Sequence, residues 1–399
     1  MQPDAAEKPF LMNRSAESDS DRIAEGHPPA RILQIGNYPP PVCGWAMQTK
    51  LLVEEIRQRG NACQVLNLNE SRRRRSNEYI DVQNGFDYLR KVIQFALGGY
   101  RFQVHVNGQS TPGYILAFIA AVVGRLAGQP VALSWRGGLQ QKYFPRPEGL
   151  GVRWAFQLLF RLAGQISCNN VAVKHAIEQY GIEAARVVVI PGFSKQNLEF
   201  QRVPLAAEIE AFLESHHPVF FCYVSFRLEY RLPALREAML QFRQRHPEAG
   251  FIWLGFPSKE LPAANEFVAD WPAQERQSLL LLGNLSHDEF LTLLTRCFAY
   301  IRTPACDGVA ASVLESSALG IPVIASENGH RPANVTTYQE GDAADLCAKL
   351  ISVTEGYDQV KKQTQLEVAE DNIARTVDWL LGPPARKAEE VRRDWIHVA

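Results

Sequence analysis

The chain has 399 residues, 42 Lys and Arg against 43 Asp and Glu, and a formal net charge of −1. That balance argues against bulk nucleic-acid binding as the main task, and 46% hydrophobic residues predict globular cores in a chain long enough for two or three domains. The cysteines at 43, 63, 168, 222, 297, 306 and 347 are scattered, form no CxxC pair and are odd in number. They read as free thiols in a reducing cytoplasm.

Residues 1–29 are polar and charged, without the apolar stretch of a secretory signal, and read as a disordered tail. The only Asp-x-Asp triplet, Asp19-Ser20-Asp21, falls in this tail without a scaffold, so no metal site is expected. Arg31–Gly36 reads as a strand, Pro39–Pro41 as a turn, and 46–59 as a helix stopped by Gly60. With a strand at 65–68 this forms the opening unit of a doubly wound parallel sheet. A run of arginines, Arg72 to Arg75, sits in an expected loop. Strands follow at 102–106 and 131–135, with a buried helix at 113–126 between them. The apolar run Gly113–Gly124 is shorter than the ~20 residues a bilayer span needs. His105, inside a strand, reads as a core histidine. Further strands at 166–168 and 187–190 complete the first series.

The segment 141–161 interleaves Lys142, Arg146, Arg153 and Arg161 with Tyr143, Phe144, Trp154, Phe156 and Phe160. Two readings stay open: peripheral contact with an anionic leaflet, or a helix packed on its own sheet. A linker is expected at 196–215. A second strand series then begins at 219–224 and continues at 250–255, 279–283, 299–301 and 323–325, with helices near 233–245, 287–295 and 309–319. The expected division is a tail (1–29), a first Rossmann-like domain (30–195), the linker, a second such domain (216–365) and a tail (366–399) whose helix runs to Leu381.

The most informative stretch is 306–326, CDGVAASVLESSALGIPVIAS. Asp307 and Glu315 stand eight positions apart, a little over two helical turns. Asp307 sits at the mouth of the helix and Glu315 on its body. Gly320 and Pro322 end the helix before the strand 323–325. A helix N-terminus suits a phosphate. An ionised carboxylate, which only accepts hydrogen bonds, suits sugar hydroxyls. Together they describe a pocket for a sugar nucleotide.

This segment resembles the donor-binding signature of retaining GT-B glycosyltransferases, glycosyltransferase family 4 in particular. The family pattern is Glu, seven residues, Glu, then Ala-x-Gly-x-Pro-Val; here Asp307 replaces the first Glu, and Glu315 and Ala318–Val323 match the rest. The resemblance implies an α/β GT-B fold, two Rossmann-like domains facing a cleft, with the C-terminal tail crossing back to the first lobe. It implies Glu315 on the ribose, Asp307 on the transferred sugar, and the backbone of Gly308, Val309 and Ala310 in the same pocket. Arg227 and Arg231, after the strand 219–224, stand where the family contacts the diphosphate. Gly44 occupies the loop that admits diphosphate and acceptor, followed here by Trp45. Arg136 stands where relatives carry a His-Gly pair; protonated at neutral pH, it suits a leaving phosphate or an acceptor anion rather than a base.

The implied function is metal-independent, cofactor-free transfer of a sugar from a nucleotide-sugar donor to a glycan or lipid-linked saccharide. It would belong to bacterial surface polysaccharide assembly in the cytoplasm, with possible peripheral contact at the inner face of the membrane and no nucleic-acid partner. The departures at Asp307, Trp45 and Arg136 motivate a second reading, a non-catalytic sugar-nucleotide or glycan-binding protein. A third is a sugar-nucleotide epimerase of similar architecture.

Overall fold

The computed structural model describes residues 29–139, 141–145, 150–307, 310–364 and 370–382. The expectations about the tail 1–28, the Asp19–Asp21 triplet, Gly308 and Val309 lie outside these residues. The first lobe runs β1 (Arg31–Gly36), α1 (Gly44–Gln58), β2 (Ala62–Asn67), α2 (Gly85–Leu97), β3 (Arg101–Val106), α3 (Thr111–Leu126), β4 (Ala132–Trp135), α4 (Leu150–Leu162), β5 (Gln165–Cys168), α5 (Val171–Glu178) and β6 (Val187–Val189). The second runs α6 (Ala207–Ser215), β7 (Val219–Tyr223), α7 (Leu232–Arg243), β8 (Gly250–Leu254), α8 (Leu261–Ala269), α9 (Ala273–Gln277), β9 (Leu279–Gly283), α10 (His287–Leu294), β10 (Ala299–Arg302), α11 (Ala311–Ala318), β11 (Val323–Ser326), β12 (Thr336–Tyr338), α12 (Ala343–Glu355) and α13 (Tyr357–Thr364). A last helix, α14 (Asn372–Leu381), follows.

Each lobe holds a six-stranded, all-parallel sheet, in the orders β2-β1-β3-β4-β5-β6 and β12-β11-β10-β7-β8-β9. Such strands are covered by helices on both faces, so they read as continuous apolar runs rather than alternating ones. VFFCY of β7 and GFIWL of β8 are of this kind. In the first lobe Trp135 meets Phe144, Phe156 and Phe160, with ring centroids 4.4, 5.6 and 5.5 Å away. Phe156, Leu159 and Phe160 of α4 are therefore buried on their own sheet, while Trp154 and Leu158 of the same helix remain exposed. No helix among the described residues is long and apolar enough to cross a membrane.

One segment departs from the sequence reading. The expected linker 196–215 contains α6, whose Ile209 and Phe212 pack with Leu205 into the second core. Its apolar residues recur at helical spacing, so burial overrides a loop conformation. Beyond the second lobe, α14 lies on the first: Ile373, Val377 and Leu380 join Leu52, Val53 and Ile56 of α1 in one core. Arg59 Nη1 donates to Asp378 at 2.6 Å and Arg59 Nε to Glu55 at 2.7 Å, which fixes the chain crossing.

Candidate functional site

In open parallel sheets a crevice forms beyond the carboxyl ends of the strands, where the winding direction reverses. That point lies between β1 and β3 in one lobe and between β7 and β10 in the other. The carboxyl ends of both sheets line one interlobe cleft of about 420 Å³, within the ~300–1,000 Å³ typical of small-molecule sites. One wall carries Gly44, Trp45, Arg136 and Asn169; the other carries Arg227, Arg302, Asp307, Ala310 and Glu315. Gln141 Nε2 donates to the Cys306 carbonyl at 3.0 Å across the lobes, and Lys259 pairs with Glu70 beside it.

Two helix N-termini open into this cleft. Neither α1, with Cys43 at its N-cap, nor α11, with Ala310, has a side-chain cap. A methyl group placed on Gly44 would lie 3.4 Å from the Ala311 Cβ, so the two termini almost touch. Unpaired N–H groups and both macrodipoles therefore present partial positive charge from opposite walls. Glycine closes two of the strand ends. A Cβ on Gly36 would lie 2.9 Å from the His105 ring, and one on Gly255 (φ +93°) 2.4 Å from Tyr223.

The acid expected on the transferred sugar is clamped. Asp307 accepts from Arg302 Nε at 2.9 Å, Arg302 Nη2 at 2.6 Å and Arg331 Nη1 at 3.3 Å. Three of the carboxylate's roughly four acceptor positions are thus taken. Burial would raise its pKa, but the two guanidinium groups outweigh that and hold it below the usual carboxylate range. Asp307 lines the cleft, and within the protein its carboxylate contacts are arginines. Arg302 also lies under Tyr223 and Tyr230, at 5.7 and 5.4 Å from the ring centroids. Arg331 donates to the carbonyls of Ser326 (2.9 Å) and Pro304 (2.8 Å), tying down the loop that carries Asp307.

Glu315 is different. It is 5% exposed, lines the cleft, and has no hydrogen-bond donor among the described residues. His287 Nε2 lies 3.6 Å from its Oε1, an ion-pair distance but beyond hydrogen bonding. His287 opens α10, where the Ser286 hydroxyl accepts from the Glu289 N–H (3.3 Å) and the Ser286 N–H donates to the Glu289 carboxylate (2.9 Å).

Arg227 reaches the cleft, tethered at 3.4 Å to Glu260. Arg231 does not. It closes a 3₁₀ turn in a left-handed conformation (φ 50°, ψ 37°), lies 3.5 Å from Glu340, and lines a neighbouring groove with Leu228, Pro233, Phe267 and Arg227 itself. The expectation that both arginines face the cleft is corrected: only Arg227 lines it. Arg302 stands in the cleft instead.

Arg136 is 7% exposed and faces the cleft beside Gly137. Its Nε donates to His105 Nδ1 at 3.2 Å. Its Nη2 is buried with no partner among the described residues. Burial without a counter-ion pushes the guanidinium pKa down to about 9. His105, buried and beside that cation, is held well below the usual imidazole value and is neutral.

The sequence reading missed Arg302, Arg331 and His287. Only Arg302 carried a signal, as a cation at the carboxyl end of a parallel strand. Among the described residues no three His, Cys, Asp or Glu side chains converge as a metal site.

No protein-family model and no curated protein matches the sequence. Solved structures match in fold. Anabaena HepE in complex with UDP-glucose superposes with a TM-score of 0.62 at 14% identity, over 83% of this chain and 92% of that one. A UDP-N-acetylglucosamine 2-epimerase gives 0.57 at 12% identity, over 89% and 96%. The lipopolysaccharide outer core galactosyltransferase WaaB, in its apo form, gives 0.54 at 15% identity, over 87% and 98%. The fold is therefore GT-B, two Rossmann-like lobes about a cleft.

Proposed function

We propose that this protein is a retaining glycosyltransferase that moves a sugar from a nucleoside-diphosphate donor to a hydroxyl of a glycan or lipid-linked saccharide, in surface polysaccharide assembly. The observation that carries the reading is Glu315, a buried carboxylate facing the cleft with no hydrogen-bond donor among the described residues. A ribose diol supplies two hydroxyl donors to such a group. The diphosphate then falls between Arg302, Arg227 and the uncapped end of α11. These groups meet the charge that grows on the leaving phosphate without requiring a metal ion.

In this mechanism the bond from the anomeric carbon to the diphosphate breaks and the acceptor oxygen bonds the same carbon. The acceptor proton passes to an oxygen of the departing phosphate on the same face, so configuration is kept. Two features of the cleft agree with a reaction that borrows no protein base. Asp307 is bracketed by two guanidinium groups, which weakens it as a proton acceptor. His105 is occupied at both ring nitrogens, by Arg136 and by Gln34.

Epimerases among the structural neighbours favour a competing reading on the same scaffold. The two separate cleanly. Donor incubated alone in D₂O stays undeuterated at ring carbons under the transferase reading and acquires deuterium under the epimerase reading. Binding with no turnover of any kind would leave a sugar-nucleotide-binding protein.

Glu315→Ala should raise the donor KM about 10- to 100-fold with a smaller change in kcat, because hydrogen bonds to a charged acceptor are worth ~1.5–3 kcal/mol. An unchanged donor KM removes Glu315 from the donor site. A thermal-shift panel of nucleotide sugars identifies the donor to use.

A further inference from the structure

Arg136 ends a directed chain of hydrogen bonds that crosses the first sheet. A guanidinium only donates, so its bond to His105 makes Nδ1 the acceptor and leaves the ring proton on Nε2. That Nε2 donates to Gln34 Oε1 at 2.8 Å. Gln34 Nε2 donates to Gln103 Oε1 at 2.8 Å, and Gln103 Nε2 to Ser134 Oγ at 2.8 Å. Ser134 then meets Ser167 at 3.0 Å. All five partners are buried or nearly so. The chain fixes the guanidinium through Nε and leaves the buried Nη2 without a partner among the described residues, in a side chain that lines the cleft.

The same wall holds two further groups in search of a ligand. The uncapped first turn of α1 faces the cleft at Gly44 and Trp45. Asn169, whose Nδ2 donates to the Arg136 carbonyl at 3.1 Å, keeps a buried Oδ1 with no partner among the described residues. Gly192 joins these elements: a Cβ there would lie 3.0 Å from Gln48 of α1 and 3.2 Å from Asn169. A buried cation without an anion is strongly unfavourable. Here it is oriented at several hydrogen bonds' expense beside a helix N-terminus, which adds to its pull on an anion.

We propose that this wall is a second anion subsite, separate from the diphosphate of the donor, and that it takes a phosphate or carboxylate carried by a saccharide. The anion meets Arg136 Nη2 and the α1 amides, and a neighbouring sugar hydroxyl donates to Asn169 Oδ1. The inference rests on the donor reading of the opposite wall. The saccharide is either the acceptor, bearing a sugar phosphate or uronate, or the transferred sugar itself.

The test is calorimetric titration of the full chain. Wild type saturated with UDP should bind one equivalent of glucose 1-phosphate. Arg136→Gln should weaken that binding at least tenfold and leave the UDP Kd within twofold. Gln34→Leu, which cuts the chain behind His105, should weaken glucose 1-phosphate several-fold and spare UDP, a split that loss of fold would not give. Arg136→Lys keeps the charge without the planar fork and should give an intermediate loss. Comparing UDP-glucuronate with UDP-glucose identifies the source. A tenfold cost in Arg136→Gln confined to UDP-glucuronate puts the anion on the transferred sugar, and one confined to glucose 1-phosphate puts it on the acceptor. A tenfold loss of UDP affinity would instead assign Arg136 to the diphosphate and overturn the proposal. So would anion affinity that the substitution leaves unchanged. If UDP, GDP and ADP all fail to bind wild type, the donor reading falls. The glucose 1-phosphate comparison between wild type and Arg136→Gln then still decides the subsite.

Discussion

An Asp307→Ala variant should melt on the order of 10 °C below wild type and should recover part of the loss in pyrophosphate. The carboxylate is the shared anion of Arg302 and Arg331, both of them 10% exposed or less at the side chain. Removing it leaves two guanidinium groups facing each other in a water-poor site. Breaking a buried pair in this way costs ~3–5 kcal/mol, and each kcal/mol moves the melting temperature of a domain this size by roughly 2–4 °C. Asp307→Asn keeps the shape and loses the charge, so it separates electrostatics from packing and should fall between the two. Pyrophosphate can replace the missing negative charge, so it should raise the variant's melting temperature more than that of wild type. The pH dependence has a definite sign. The folded carboxyl titrates below its unfolded value of about 3.9. The contribution of the cluster is therefore complete above about pH 4 and disappears as pH falls through the lower folded value. Equal melting of wild type and Asp307→Ala at pH 7 would show that the arginines do not depend on this acid.

Asp307 also shows how far sequence carries and where it stops. The strands were readable because β7, β8 and β10 are local apolar runs between turn residues, and two such series in one chain imply two sheets. The site segment 306–323 was readable for the same reason: loop, helix, Gly320 and strand are contiguous. What Asp307 touches was not readable. Its partners are the strand residue Arg302 and Arg331, 24 positions downstream on a loop, and no local period links them. Arg231 failed in the opposite direction. The resemblance placed it with Arg227 at the diphosphate, but Arg231 is a left-handed residue that ends the turn and lines only the neighbouring groove, whereas Arg227 reaches both that groove and the cleft.

The chain behind Arg136 had a signal that was passed over. RILQIG, RFQVHV, ALSW and QISC each carry a buried polar residue inside an apolar strand. The parallel register then sets Gln34 against Gln103, His105 against Ser134 and Ser134 against Ser167. One polar residue in a buried strand is a local exception. The same exception in adjacent strands on one face is a seam, and a seam ending on an arginine at the strand terminus has an orientation to enforce.

That orientation carries a stability cost, which yields the sharpest test of Arg136. Arg136→Met should melt several degrees above wild type while losing transfer activity. Burial pushes the guanidinium down to about 9 from 12.5, a fall that corresponds to on the order of 5 kcal/mol as an upper bound. Exchanging buried ionic groups for apolar ones of similar volume has gained ~1–4 kcal/mol in other proteins. The effect should depend on pH in one direction. Below about pH 9 the guanidinium is charged both folded and unfolded, so the full penalty is present and the gap between variant and wild type is constant. Above that value the folded group loses its proton while the unfolded one keeps it, so wild type gains relative to the variant and the gap closes. Absolute stability will not show this. The Cys63 and Cys168 thiols and the Tyr38 hydroxyl are each pushed up to about 12 by burial, so both proteins weaken in alkali as their unfolded chains ionise first. The difference between the two melting curves cancels these shared groups and isolates Arg136. A gap of zero at pH 7 would mean that the guanidinium is already compensated within the protein, and a buried cation that lacks nothing gives no reason for an anion to bind there.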